Sequence, residues 1–250
     1  VSRLDRLLPR PISHVVDPGR RVRPETAAVR RRRQRVVAVT ALCGAALLGR
    51  SLDTPPGSRR FYASTAAVAA TWALGGAGSG PLHLGWVEHR DATLRRPVLT
   101  PVATGVAAFG VFYAGALVAR RIPVLDGALV RVLRFADEGD DRLVMATTLA
   151  NGVAEEVFFR GALYSALSEH APLAGSTAVY ALATTTTRNP ALVLAATVMG
   201  ALFALQRRAS GGIQAPLLTH ATWSALMLRF LPPLFRSRRP ETLDAPAPRD

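Results

Sequence analysis

Apolar positions in this chain come in long unbroken blocks rather than in the one-sided patterns of a soluble domain. Val98 to Ala119 gives 22 residues without a charge, Phe61 to Val87 gives 27, Ala209 to Leu228 gives 20 and Asn189 to Gln206 gives 18. A bilayer core takes roughly 20 apolar residues in a helix, so these blocks have spanning length. Shorter blocks at 36–49 and 171–187 are borderline. A soluble bundle shows a charged outer face along each helix, and these blocks show none. The pattern predicts an all-α polytopic transmembrane bundle of about seven or eight helices, at 36–52, 61–79, 98–119, 143–168, 172–187, 190–206 and 212–231. The eighth element falls between Ile122 and Phe135. There Leu125, Leu129, Val132 and Leu133 recur at helical spacing with Arg131 and Arg134 between them, as in a helix lying on a membrane surface. The acidic run 137–141 closes it and caps the next helix.

Charge refines this picture. All 31 basic residues are Arg and the net charge is +14. Eleven of the arginines precede residue 36, and Arg30, Arg31, Arg32, Arg33 and Arg35 abut the first apolar block. A basic flank in that place reads as a cytoplasmic anchor against anionic lipid headgroups, not as a nucleic-acid surface. The expected location is therefore the plasma membrane of a bacterium, with the N-terminal side in the cytoplasm. The first 35 residues are polar and basic and carry no apolar signal core. Four regions follow: a basic disordered tail over 1–35, membrane helices with the amphipathic helix over 36–135, a membrane core over 136–231, and a Pro/Arg-rich tail over 232–250. The loop 80–97, with Glu88, His89, Arg90, Asp91, Arg95 and Arg96, is expected outside the hydrocarbon. The single Cys43 allows neither an internal disulfide nor a cysteine zinc site.

The chemistry is concentrated in one segment. Leu143 to Ala154 is uncharged, Glu155, Glu156 and Arg160 follow, and apolar sequence then resumes. Each such group costs roughly 2.5–3.5 kcal/mol at the centre of a membrane helix. Glu156 and Arg160 are four residues apart with the acid first, the favourable order for a pair on one helix face. Glu155 points about 100° away, so one carboxylate is neutralised while its neighbour stays available. His14, His83, His89 and His170 read as solvated or interfacial, with His83 kept as a reserve ligand.

The run from Glu155 to Gly161, Glu-Glu-Val-Phe-Phe-Arg-Gly, resembles the Glu-Glu-x-x-x-Arg motif of the CAAX protease and bacteriocin-processing family of intramembrane proteases. The stretch from Met199 to His220 resembles that family's last region, in which a helix turns through a Gly-containing bend and returns carrying His. The resemblance spans about residues 140–230. Two positions depart from it. In Tyr180-Ala-Leu-Ala-Thr184, Thr184 stands where the second motif has His, and in His220-Ala-Thr-Trp-Ser224, Ser224 stands where the last motif has Asn or Asp. Both keep a hydroxyl, and neither is a good zinc ligand or base.

The resemblance implies an endopeptidase acting on a membrane-associated peptide, CAAX-like or other. Glu155 would activate water, Glu156 would be held by Arg160, and His220 with Ser224 would face the oxyanion, with Thr184 lining the site. Three ligands for a catalytic zinc are not found, so hydrolysis without a cofactor is expected, zinc being the alternative. The other readings are a degenerate family member acting as a membrane binding or scaffold protein, and a proton-coupled transporter using the same carboxylates.

Overall fold

In a computed structural model, residues 25–88, 94–168 and 171–236 are described. They form α1 (Ala27–Ser51), α2 (Arg59–Gly78), α3 (Leu99–Ala119), α4 (Pro123–Asp137), α5 (Asp141–Glu155), a π-helix (Glu156–Leu163), α6 (Tyr164–Ala166), α7 (Pro172–Thr185), α8 (Pro190–Ser210), α9 (Gln214–Phe230) and α10 (Pro233–Arg236). The one strand pairing among the described residues is two residues long, β1 (Val87–Glu88) against β2 (Leu94–Arg95). His14, His89, Arg90, Asp91, His170 and the segments 1–24 and 237–250 lie outside the described residues.

Helix starts follow local chemistry. The side chains of Ser58, Asp140 and Asn189 accept from backbone N–H groups of the first turns of α2, α5 and α8, satisfying donors that a helix leaves unpaired. Thr26 does the same for α1, which begins nine residues before its apolar block. Residues 27–35, expected in the disordered tail, are thus helical. Alanine and arginine are good helix formers, and Arg33 is buried, pairing with Glu25 and donating to Ser79 Oγ at the end of α2 at 3.4 Å.

The helices form a closed ring. α1 packs on α2, α2 on α5, α5 on α9, α9 on α8, α8 on α7 and α7 on α1, while the π-helix occupies the middle and touches all six. Trp72 of α2, fully buried, meets Phe158 and Phe159 of the π-helix with ring centroids 4.8 and 5.0 Å away. α3 stands outside the ring, seated on α9. α4 lies across one end, where Asn189 Nδ2 donates to the Ala128 carbonyl at 2.8 Å.

Two helices, Leu99–Ala119 and Pro190–Ser210, are long and apolar enough to cross a membrane, with only 11% and 28% of their spanning windows buried inside the bundle. Leu99, Val102, Val106, Val111, Leu117 and Val118 of α3 are exposed. Apolar surface on this scale facing outward, without interspersed charge, belongs against lipid. At one end of the bundle the segment 82–86 lies on the turn between α8 and α9. Trp86 N–H donates to Ser210 O at 2.8 Å, and Ile213 N–H and Gln214 N–H donate to the carbonyls of His83 and Leu84, each at 2.9 Å. This approach needs glycine on both sides: a Cβ on Gly212 would lie 2.0 Å from Gly85 N, and Gly85 has φ +88°.

Candidate active site

The Glu-Glu-Arg motif sits where the fourth long segment changes its winding. A single α-helix was the expectation for 143–168, and the structure corrects it: the α-helix ends at Glu155 and a π-helix carries Glu156 through Leu163. π-turns are rare and occur frequently at functional sites. The wider turn faces Phe158, Phe159 and Arg160 inward together, all at most 1% exposed.

Glu156 and Arg160 are both fully buried, with Arg160 Nη1 3.2 Å from Glu156 Oε1. The same oxygen lies 2.9 Å from His220 Nδ1 on α9. Arg160 Nη2 donates to the Gly200 carbonyl of α8 at 3.1 Å. Its guanidinium carbon lies 4.7 Å from the ring centre of Tyr180 and 5.1 Å from that of Phe203, both within the range of cation–π attraction. His220 stacks on Phe203, ring centroids 4.8 Å apart at 21°. Four elements therefore fix one ion cluster at mid-depth of the bundle.

Glu155 faces another way and is only part buried. Its Oε2 accepts from the Tyr180 hydroxyl on α7 at 2.6 Å, and it lies within electrostatic reach of His220, Glu156 and Arg160. Glycine makes room on two sides. A Cβ on Gly152 would lie 3.4 Å from His220 Nε2, and one on Gly200 would lie 3.3 Å from Arg160 Nη2. Glu156 Oε2 and Arg160 Nε are buried without a hydrogen-bond partner.

The residues predicted from sequence take different places. Glu155, Glu156, Arg160 and His220 come together. Ser224 is buried one turn beyond His220 on the same face. Thr184 is buried, but its hydroxyl donates to the Tyr180 carbonyl at 2.9 Å within its own helix. His83 is at the end of the bundle. Its carbonyl meets Ile213 N–H, seven residues before His220 or about 10 Å along the helix, so it is not brought to the cluster. Sequence reasoning passed over Tyr180, although it heads the stretch that ends at Thr184, and Arg207, whose Nε donates to the Arg160 carbonyl at 2.8 Å.

Among the described residues no three His, Cys, Asp or Glu side chains gather as metal ligands. A catalytic zinc takes about three protein ligands, whereas Glu156 Oε1 and His220 Nδ1 face each other and Arg160.

An outward-facing apolar helical ring with a buried cluster of Glu156, Arg160 and His220, and Glu155 beside it, defines a polytopic membrane protein with a polar intramembrane core. Residues 142–226 match the family model described as Type II CAAX prenyl endopeptidase Rce1-like. The family recognised from the motifs is thus the one this segment matches. No curated protein and no solved structure matches the chain.

Proposed function

We propose that the chain is an intramembrane endopeptidase that cleaves a membrane-associated peptide with water activated by Glu155. One observation carries the reading: at mid-depth of an apolar bundle, Glu155 keeps one oxygen without a hydrogen bond from any described residue, beside a cluster that neutralises its neighbour. Glu155 Oε1 takes a proton from water, and the hydroxide oxygen bonds to the scissile carbonyl carbon. The carbonyl oxygen gains negative charge. His220 faces Glu156 Oε1 with Nδ1 at 2.9 Å, and Nε2 is its ring nitrogen left to donate to that oxyanion. As the C–N bond breaks, the proton on Glu155 passes to the leaving nitrogen, giving a carboxylic acid and an amine, which become carboxylate and ammonium by proton transfer. A prenylated carboxyl-terminal peptide is the first substrate to try, following the name of the matching family model.

The test uses the full chain in lipid nanodiscs with a farnesylated peptide. Glu155→Gln should lower the cleavage rate by about 10²-fold or more, and wild-type cleavage should survive strong zinc chelation. Equal rates in the two proteins would remove Glu155 from the reaction. Loss on chelation with recovery on added zinc would overturn the metal-free route.

A second reading, a binding or scaffold protein without hydrolysis, is favoured by Thr184, whose hydroxyl is occupied by its own helix. It calls for peptide binding unchanged by Glu155→Gln with no cleavage by either protein.

A further inference from the structure

Tyr180 touches both arms of the site and has no part in the mechanism above. Its hydroxyl donates to Glu155 Oε2 at 2.6 Å, its ring lies against Phe159 with centroids 4.7 Å apart, and the Arg160 guanidinium lies 4.7 Å from its ring centre. Arg160 is itself tied to Glu156 and to the Gly200 carbonyl. Tyr180 is thus packed by its ring on the fixed cluster and reaches from it, by its hydroxyl, to the one carboxylate outside that cluster.

Glutamate has three rotatable side-chain bonds, and Glu155 is only part buried. No other described side chain hydrogen bonds it. Without the phenol no hydrogen bond from a described residue would choose between its rotamers. With Oε2 held, Oε1 is the atom left to face water, and its direction is set relative to His220 through Arg160 and Glu156. A phenol suits this task because it donates one proton and remains neutral, so it orients the carboxylate without forming an ion pair with it.

We infer that Tyr180 is a positioning residue for Glu155, holding Oε2 so that Oε1 is aimed at the water that attacks the peptide. This assignment rests on the proposed function for its kinetic consequence, while the hydrogen bond itself can be read without any turnover.

Tyr180→Phe removes the hydroxyl and keeps the ring over Arg160. In nanodiscs it should lower kcat roughly 10-fold to 100-fold, the worth of a hydrogen bond to a charged group, and leave KM nearly unchanged because the phenol is aimed at Glu155. Thr197→Val, on an exposed position whose hydroxyl bonds only within α8, serves as the control and should cleave as wild type. Infrared difference spectra supply the second readout. The Glu155 carboxyl band, assigned by its loss in Glu155→Gln, should shift in Tyr180→Phe and stay in place in Thr197→Val. Replacement of Tyr180 by 3-fluorotyrosine keeps ring and hydroxyl and should retain cleavage, which separates loss of the donor from loss of packing. Wild-type kcat and an unmoved band in Tyr180→Phe, with Glu155→Gln inactive, would overturn the role of Tyr180 alone. Failure of wild type to cleave would overturn the endopeptidase reading, and the infrared band would still decide whether Tyr180 holds Glu155.

Discussion

Arg160 shows what one side chain does when no water is available to it. Its charge is matched by Glu156, a second N–H meets the Gly200 carbonyl, and aromatic faces cover the remainder. Removing one partner of a buried pair leaves the other charge uncompensated and costs about 3–5 kcal/mol. Arg134 is the contrasting case. It pairs with Glu138 at the same i,i+4 spacing, and that hydrogen bond and charge raise its pKa above the usual arginine value, yet it lies on an exposed surface. Such pairs are worth about 0–1 kcal/mol. Arg160→Ala should therefore lower the melting temperature in detergent far more than Arg134→Ala, and equal melting curves would contradict a buried pair. Helical spacing alone tells that Arg160 reaches Glu156. It does not tell that His220 shares the same oxygen or that Tyr180 caps Glu155, since those contacts join helices 64 and 25 residues apart.

At the scale of elements, apolar blocks locate the helices well because lipid demands both length and uniform polarity from a spanning segment. They say little about where a helix begins once its end leaves that constraint, which is why α1 starts nine residues early. They are also blind to winding: Glu156 to Leu163 is apolar enough for either an α- or a π-helix, and packing of Phe158 and Phe159 on Trp72 accompanies the second. The contact between 82–86 and the α8–α9 turn was equally hidden, because backbone hydrogen bonds carry no side-chain signature. Glycine is the one residue that betrays it. A Cβ on Gly212 would meet backbone at 2.0 Å, whereas one on Gly110 of α3 would meet nothing within 4 Å. Gly212→Ala should destabilise by about 3 kcal/mol, near the upper end for ordinary substitutions. Gly110→Ala should be neutral or stabilise by about 0.5–1 kcal/mol, because alanine is the better helix former. Thermal unfolding of both variants in one detergent decides it, and matching shifts would mean that the loop is not seated on the turn.

For the whole molecule the contacts define two ends. Arg33 meets Ser79 and Trp86 meets Ser210 at one, so the start of α1, the end of α2 and the end of α8 lie together there. At the other, the Tyr62 hydroxyl oxygen accepts from Asp140 N–H, and Thr186 Oγ1 donates to the Ala45 carbonyl. Following the chain between these ends gives seven crossings: α1, α2, α3, the run from α5 to α6, α7, α8 and α9. Arg31 and Arg95 then lie on the first side, and Arg59 and Arg121 on the second, all exposed. The orientation to test is the one in which the basic flank beside the first membrane helix faces the cytoplasm. Cys43 is exposed on α1 and is the single cysteine, so a Cys43→Ser chain offers a clean background for labelling. In that background, Arg59→Cys and Arg121→Cys should react with a membrane-impermeant maleimide on intact cells. Arg31→Cys and Arg95→Cys should react only in inverted vesicles. Labelling of positions 31 and 121 from the same face would break the seven-crossing path. Labelling with all four sides exchanged would keep that path and overturn the cytoplasmic placement of the arginine-rich flank.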